Sequence, residues 1–366
     1  MNNKNVFHRE YTDLKEDIDT VLINVCSSGR YILGKEVECF EKKFASYLGV
    51  KHVVSVGNGM EALQIGMMAS GVEKGSEIIT TPLSAVATTL AVTSLGANPV
   101  FVDIDRYFHI NVDAIEKKIT KKTRAILPVH LYGQAVDMDQ LQAISRKHCI
   151  SIFEDACQSH GALWNKHMLG TIGLFGAFSF YPTKNLGCYG DGGAITTNND
   201  SVAEKCRMLR NYGQKDRYIH QYTGMNSRMD ELQAGILKVK LPHLHAWNIK
   251  RRALAKQYST ALQGVGDIQI PEERGGAMHI YHQYVIRTKK RTELLKFLND
   301  HSIPALIHYP IPIHKQPCYP EYNDIKLPYV EKICNEIISL PIHPYMTESE
   351  VINIVARIKQ FFSLRR

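Results

Sequence analysis

No apolar run in this 366-residue chain approaches the roughly 18 residues needed to cross a bilayer. The opening stretch, MNNKNVFHREYTDLKED, is too polar and too mixed in charge for a secretory signal. Eight cysteines are scattered with no CxxC pair and no metal-ligand spacing, so reduced thiols are expected and a zinc site is not. Internal repeats and low-complexity tracts are absent. The net charge is +8, yet the basic residues are dispersed apart from short clusters at 250–256 and 287–291. No aromatic–basic interleaving or helix-turn-helix pattern accompanies them, so they read as a solvated helix face and a charged loop, and no nucleic-acid partner is expected. What is left is a cytoplasmic protein of ordinary globular composition, 44% hydrophobic and 22% charged, long enough for two domains. Its mild positive charge suits an anionic substrate.

Helix and strand patterns alternate from about residue 35 to residue 200. Helix-spaced Val37, Phe40, Phe44 and Tyr47 precede a strand over 52–56. Strands over 77–82, 99–104, 124–130 and 149–155 follow, with helices opening at Gly59 and covering 85–95 and 138–148. Near-continuous apolar strands between helices indicate a parallel sheet covered on both faces. After Asn198 helices are expected over 201–209, 229–240 and 244–262, with Pro242 separating the last two. Residues 268–366 read as a smaller α+β unit. Its last helix starts at a capping box, Thr347-x-x-Glu350, and carries Val351, Ile354, Val355, Ile358 and Phe362 on one stripe. The expected domains are 1–245 and 246–366.

Lys184 lies in FSFYPTKNLGCYGDGGA (178–194), among Ser, Pro, Gly and Asn, where neither a core nor a solvated helix face accounts for a lysine. About thirty residues earlier, FEDACQSHGA (153–162) ends an apolar strand on an acidic pair. Asp155 falls at the carboxyl edge, where open α/β sheets bind ligands, and a buried carboxylate there needs a positive partner. An acid that caps the following turn is the plainer alternative. Glu154 should point to the opposite face and serve structure. A loop amine and a strand-end carboxylate are the minimum equipment for pyridoxal phosphate, the one for covalent attachment and the other for the ring nitrogen. Gln158 or His160 follows on the loop and lies close enough to touch the ring; Gln158 is favoured. VGNGMEAL (56–63) runs strand, glycine turn, helix, so its free amides suit a phosphate, with Ser179 able to add a hydroxyl. The same string satisfies G-x-G-x-x-A with Glu77 downstream. Alone it does not separate pyridoxal phosphate from a dinucleotide, or either from a structural turn.

Together these strings, with GMNSRMDELQAGIL and YHQYVIR, resemble the DegT/StrS-type sugar-nucleotide aminotransferases, fold-type-I pyridoxal phosphate enzymes. The resemblance runs collinearly from SSGRYILGKEVECFE (27–41) to the last helix. It implies a large mixed, mostly parallel sheet flanked by helices and a smaller C-terminal α+β domain. It further implies that Lys184 binds the cofactor covalently, that Asp155 meets its ring nitrogen and that Gln158 lies by the ring hydroxyl. Gly59, Met60 and Ser179 would hold the phosphate, and Asn226 would reach in from the partner of an obligate homodimer. The family often places a ring-stacking aromatic just after the strand at 77–82; Ala85 stands there, so that contact has no candidate. Some relatives are dehydratases with histidine in place of the lysine, and Lys184 argues against that chemistry.

IHYPIPIHKQP (307–317) suits a rigid rim that binds hydroxyls, or equally a proline-rich connector. Its similarity to enzymes of dTDP-3-keto-6-deoxyhexoses makes His308, Tyr309 and Tyr181 the sugar-contact candidates. Lys215 and Arg217 are candidates for the diphosphate, a solvated loop being the ordinary account of them. The expected reaction takes an amino group from L-glutamate to such a sugar at C3, with C4 as the alternative. A nicotinamide oxidoreductase leaves Lys184 and Asp155 without roles, and a non-catalytic regulator has no need of the lysine.

Overall fold

The computed structural model describes residues 4–364. In chain order the strands that matter here are β1 (His52–Val56), β2 (Glu77–Thr80), β3 (Asn98–Phe101), β4 (Thr123–Leu127), β5 (Ser151–Asp155), β6 (Leu163–Trp164), β7 (His167–Met168), β8 (Phe175–Ser179) and β9 (Gly193–Thr197). All but the short β6–β7 hairpin build one seven-stranded sheet in the order β1-β9-β8-β5-β4-β2-β3. Strand β9 is antiparallel to both neighbours, and the other adjacent pairs are parallel. The sheet is therefore mixed and mostly parallel.

Adjacent residues of each strand pack into different cores. Val54, Ile78, Leu127, Phe153, Ala177 and Ile195 join Leu63, Ile65 and Met67 of the helix Gly59–Ala69. Their neighbours Val53, Phe178 and Ala194 pack with Phe40 and Phe44, while Ile79, Ile126 and Ile152 pack with Met138 and Leu141. Two buried faces explain why these strands read as unbroken apolar runs. Gly66 sets the helix–sheet distance, because a Cβ there would overlap the Phe175 ring.

Strands β2, β3 and β4 end three residues earlier than the apolar runs at 77–82, 99–104 and 124–130, less one for β2. Pro82 and Pro128 lack an amide for the ladder, so the chain leaves the sheet there and turns toward the ligand edge. Two helices were not foreseen, Lys4–Asp13 and Lys15–Ser28; the second buries Ile18, Val21 and Val25.

The C-terminal unit pairs the strands Tyr284–Arg287 and Ile337–Leu340 antiparallel under the helices Arg291–Asp300 and Glu348–Ser363, and the capping box at Thr347 is formed. The proposed division at residue 245 falls inside one continuous helix, Leu244–Leu262. Leu244 packs with Phe40 and Phe44, whereas Leu254, Tyr258 and Leu262 pack in the smaller core. The basic cluster at 250–256 is only partly a solvated face: Arg251 is buried on the same stripe as Leu254 and Tyr258.

Candidate active site

A cavity of about 360 Å³ opens beyond the carboxyl ends of β5 and β8, the edge at which a parallel sheet exposes its strand ends. Lys184 reaches it from a turn in which its amide donates to the Tyr181 carbonyl at 2.9 Å, with Pro182 fixing the turn's second position. The turn is tied down because Cys188 N donates to Phe180 O at 2.8 Å and Phe180 N to Gly192 O at 2.7 Å. Burial pulls the Lys184 amine below its usual basicity, and the nearby Cys157 and Asp155 partly offset that effect.

Asp155 is 4% exposed and faces the same cavity. Its Oδ2 accepts from the Thr88 hydroxyl at 2.7 Å and its Oδ1 from the Cys157 amide at 3.2 Å. Thr88 Oγ1 also lies 2.7 Å from Ser84 Oγ; with the Thr88 proton committed to the carboxylate, Ser84 is the donor of that pair. Glu154 points the other way. It accepts from the amides of Gly170, Ile172 and Gly173, each at 2.7 Å, and contacts His130 Nε2 at 3.0 Å. It is a structural acid, in keeping with strand alternation.

The helix Gly59–Ala69 aims its N-terminus into the cavity. Asn58 caps it by accepting from Glu61 N at 2.9 Å, and the Gly59 and Met60 amides have no acceptor among the described residues. A Cβ at Gly59 would lie 2.7 Å from Ser179 Cβ and 2.8 Å from Cys157 Sγ, so only glycine brings these amides so close to the Ser179 hydroxyl. Ser179 Oγ accepts from Tyr181 N at 3.4 Å, which leaves its proton available. Two free amides and a hydroxyl at a helix dipole suit a phosphate dianion. An amine and a braced carboxylate in the same space suit the rest of pyridoxal phosphate, and the residues fit the group.

Gln158 lines the cavity, its Oε1 accepting from Tyr132 N at 2.8 Å and its Nε2 donating to the Tyr309 hydroxyl at 3.3 Å. His160, the alternative, is fully buried against the rings of Phe178 and Phe180, outside the cavity lining, and is pulled down to about 3 by burial. His308 and Tyr309 form the far wall. Tyr132 OH donates to the His308 carbonyl, His308 Nδ1 lies 2.9 Å from Ser339 Oγ, and burial pushes the Tyr309 phenol up to about 12. Tyr181 stands at the rim, half exposed. Ala85 lines the cavity.

Three candidates lie elsewhere. Lys215 and Arg217 are exposed on or beside the strand pair Gln214–Asp216 and Ile219–His220, and Asn226 is exposed, none of them lining this chain's own cavity. Other lining residues escaped sequence reading. Thr88 sits in an apolar helix, VATTLAVT, that gives a hydroxyl no distinction. His282 was visible only as part of the strand string YHQYVIR. It lies 3.1 Å from Asn185 Oδ1 and burial, then Lys184, holds it well below the usual histidine range.

Comparison with known proteins adds the following. Residues 12–359 match the model of the DegT/DnrJ/EryC1/StrS aminotransferase family. A pleiotropic regulatory protein of Geobacillus stearothermophilus is 44% identical over 96% of this chain and 96% of its own. The dTDP-3-amino-3,6-dideoxy-alpha-D-galactopyranose transaminase of Aneurinibacillus thermoaerophilus is 42% identical over 95% of this chain and 96% of its own. The UDP-2-acetamido-2-deoxy-3-oxo-D-glucuronate aminotransferase of Pseudomonas aeruginosa is 40% identical over 94% and 96%. Among solved structures, DesV of S. venezuelae in complex with a ketimine intermediate is 40% identical and superposes with a TM-score of 0.94, covering 97% of this chain and 96% of that one.

Proposed function

The chain belongs to the DegT/DnrJ/EryC1/StrS aminotransferase family, and from that membership we propose that it moves the amino group of L-glutamate onto C3 of a dTDP-linked 3-keto-6-deoxyhexose. It is a pyridoxal-phosphate-dependent sugar-nucleotide aminotransferase; the donor, the nucleotide, the sugar and the carbon are the proposed part. The observation that carries the reading is the meeting of Lys184, Asp155 and the free amides of Gly59 and Met60 in one cavity. C3 is supported by the names of both the A. thermoaerophilus and the P. aeruginosa relatives, which share that position while differing in nucleotide.

When bound, pyridoxal phosphate supplies an electron sink for the charge left as a proton leaves the amino-bearing carbon. Asp155, held by Thr88 and the Cys157 amide, places a fixed negative charge that keeps a facing ring nitrogen protonated. The Gly59 and Met60 amides and the Ser179 hydroxyl donate to the phosphate and set its depth. Lys184 takes and returns the proton at Nζ; burial raises its unprotonated fraction, the state a base needs. Gln158, fixed from two sides, would lie by the ring hydroxyl. His308, Tyr309 and Tyr181 offer donors and acceptors to sugar hydroxyls. The exposed Asn226 serves the partner's cavity in a homodimer, and Lys215 and Arg217 meet the diphosphate there.

Incubation with L-glutamate and a panel of dTDP- and UDP-linked keto sugars, read as 2-oxoglutarate release, tests this. Turnover with dTDP-3-keto-6-deoxyhexoses is expected. Turnover confined to 4-keto sugars would overturn the position, and turnover confined to UDP sugars the nucleotide.

A further inference from the structure

Behind Lys184 lies a second cavity, of about 170 Å³, which shares Lys184, His282 and His308 with the first as a common wall. Its floor holds Arg251, 5% exposed on the helix Leu244–Leu262. Arg251 Nη1 donates to the carbonyls of Tyr281 at 3.3 Å and Ile342 at 2.9 Å, its Nε has no partner, and no carboxylate pairs with it among the described residues. The other buried arginine, Arg210, pairs with Glu41 at 2.6 Å. Glu10 also lines the second cavity; its carboxylate contacts Lys240 and its charge partly offsets the effect of burial on Arg251. Although burial lowers Arg251 to about 10, it stays charged at neutral pH. Beside it, the partly buried His343 has a buried Nδ1 without a partner.

A buried guanidinium is costly; the acid that acts on Arg251, Glu10, is shared with Lys240, and the unpartnered Nε leaves Arg251 able to take a further anion at a cavity next to the reacting amine. We propose that the second cavity takes a carboxylate of the amino donor, with Arg251 as its counter-ion and His343 as an additional hydrogen-bond partner. The inference rests on the aminotransferase reading and deepens it. A cavity of this size has room for a short dicarboxylic acid. A planar guanidinium already fixed by two carbonyls keeps further N–H groups for a carboxylate.

The test measures binding of maleate, an unreactive dicarboxylate, and of dTDP to the cofactor-loaded protein by calorimetry in wild type, R251M, R251K and L306W. Leu306 is half exposed at the cavity edge, so tryptophan there fills the space without touching the arginine, and it answers the question if R251M fails to fold. Maleate Kd is expected to rise at least tenfold in R251M and L306W and less in R251K, with dTDP binding within twofold of wild type. Unchanged maleate binding in the folded variants, or loss of dTDP binding instead, would overturn the proposal. In parallel the cofactor absorbance is followed on adding L-glutamate with no sugar present. A wild type that does not respond removes the aminotransferase reading and this inference together; variants that respond at wild-type concentrations remove the inference alone.

Discussion

Thr88 gives its hydroxyl proton to Asp155 Oδ2 at 2.7 Å, joining the helix after β2 to the end of β5 across 67 residues of sequence. The contact orients the acid in the candidate site and stabilises its charge. Valine at 88 keeps the volume and removes the donor. T88V is expected to lower the rate of the glutamate half-reaction by about ten- to a hundredfold, the worth of one hydrogen bond to a charged group. T88S should recover most of it. An unchanged rate in T88V would show that the bond does not matter to the chemistry.

Neighbouring acids on β5 should separate cleanly in their effects. E154A strands three backbone amides and His130 in the core, and a loss of about 3–5 kcal/mol of stability is expected in urea unfolding. D155N should unfold near the wild-type midpoint yet lose almost all transamination. The reverse pattern would mean that the two roles are exchanged.

Histidines held neutral by the fold give the stability a pH dependence with a definite sign. His160 and His279 are held at about 3 and His343 at about 4, chiefly by burial, against 6.5 when unfolded. Between those values the unfolded chain binds more protons, so stability is lost as pH falls below 6.5. From pH 7.5 to 5.5 each contributes a loss of about 1 kcal/mol. Urea titrations at the two values check this, and equal or greater stability at pH 5.5 would contradict it.

Gly59 tests the phosphate seat. Alanine there must push the helix start away from Ser179 and Cys157, and G59A is expected to release pyridoxal phosphate on dialysis at least tenfold faster than wild type. Retention at the wild-type rate would place the phosphate elsewhere.

Much of the sheet was legible because two buried faces write long apolar strings; Asp155 stood out as a polar group at the end of such a string, and Lys184 as a lysine among turn-forming residues. Direction was not legible for β9, since alternation reads the same along either sense of the chain. The helix Lys15–Ser28 keeps helical spacing at Ile18, Val21 and Val25, but the polar residues around this narrow stripe dilute the signal. Arg251 was hidden in a basic cluster, and only its phase with Leu254 and Tyr258 marks it as inward-facing. Thr88 and His282 reach the cavity through tertiary contacts that no local pattern announces.

The central claim is that the Lys184 amine is the group joined to the cofactor. Borohydride reduction of the loaded protein, followed by peptide mass mapping, tests it most directly. The account predicts a reduced pyridoxyl phosphate adduct on the peptide that contains Lys184 and none in K184A. An adduct on another lysine, or a protein that retains the cofactor with position 184 unlabelled, would contradict it.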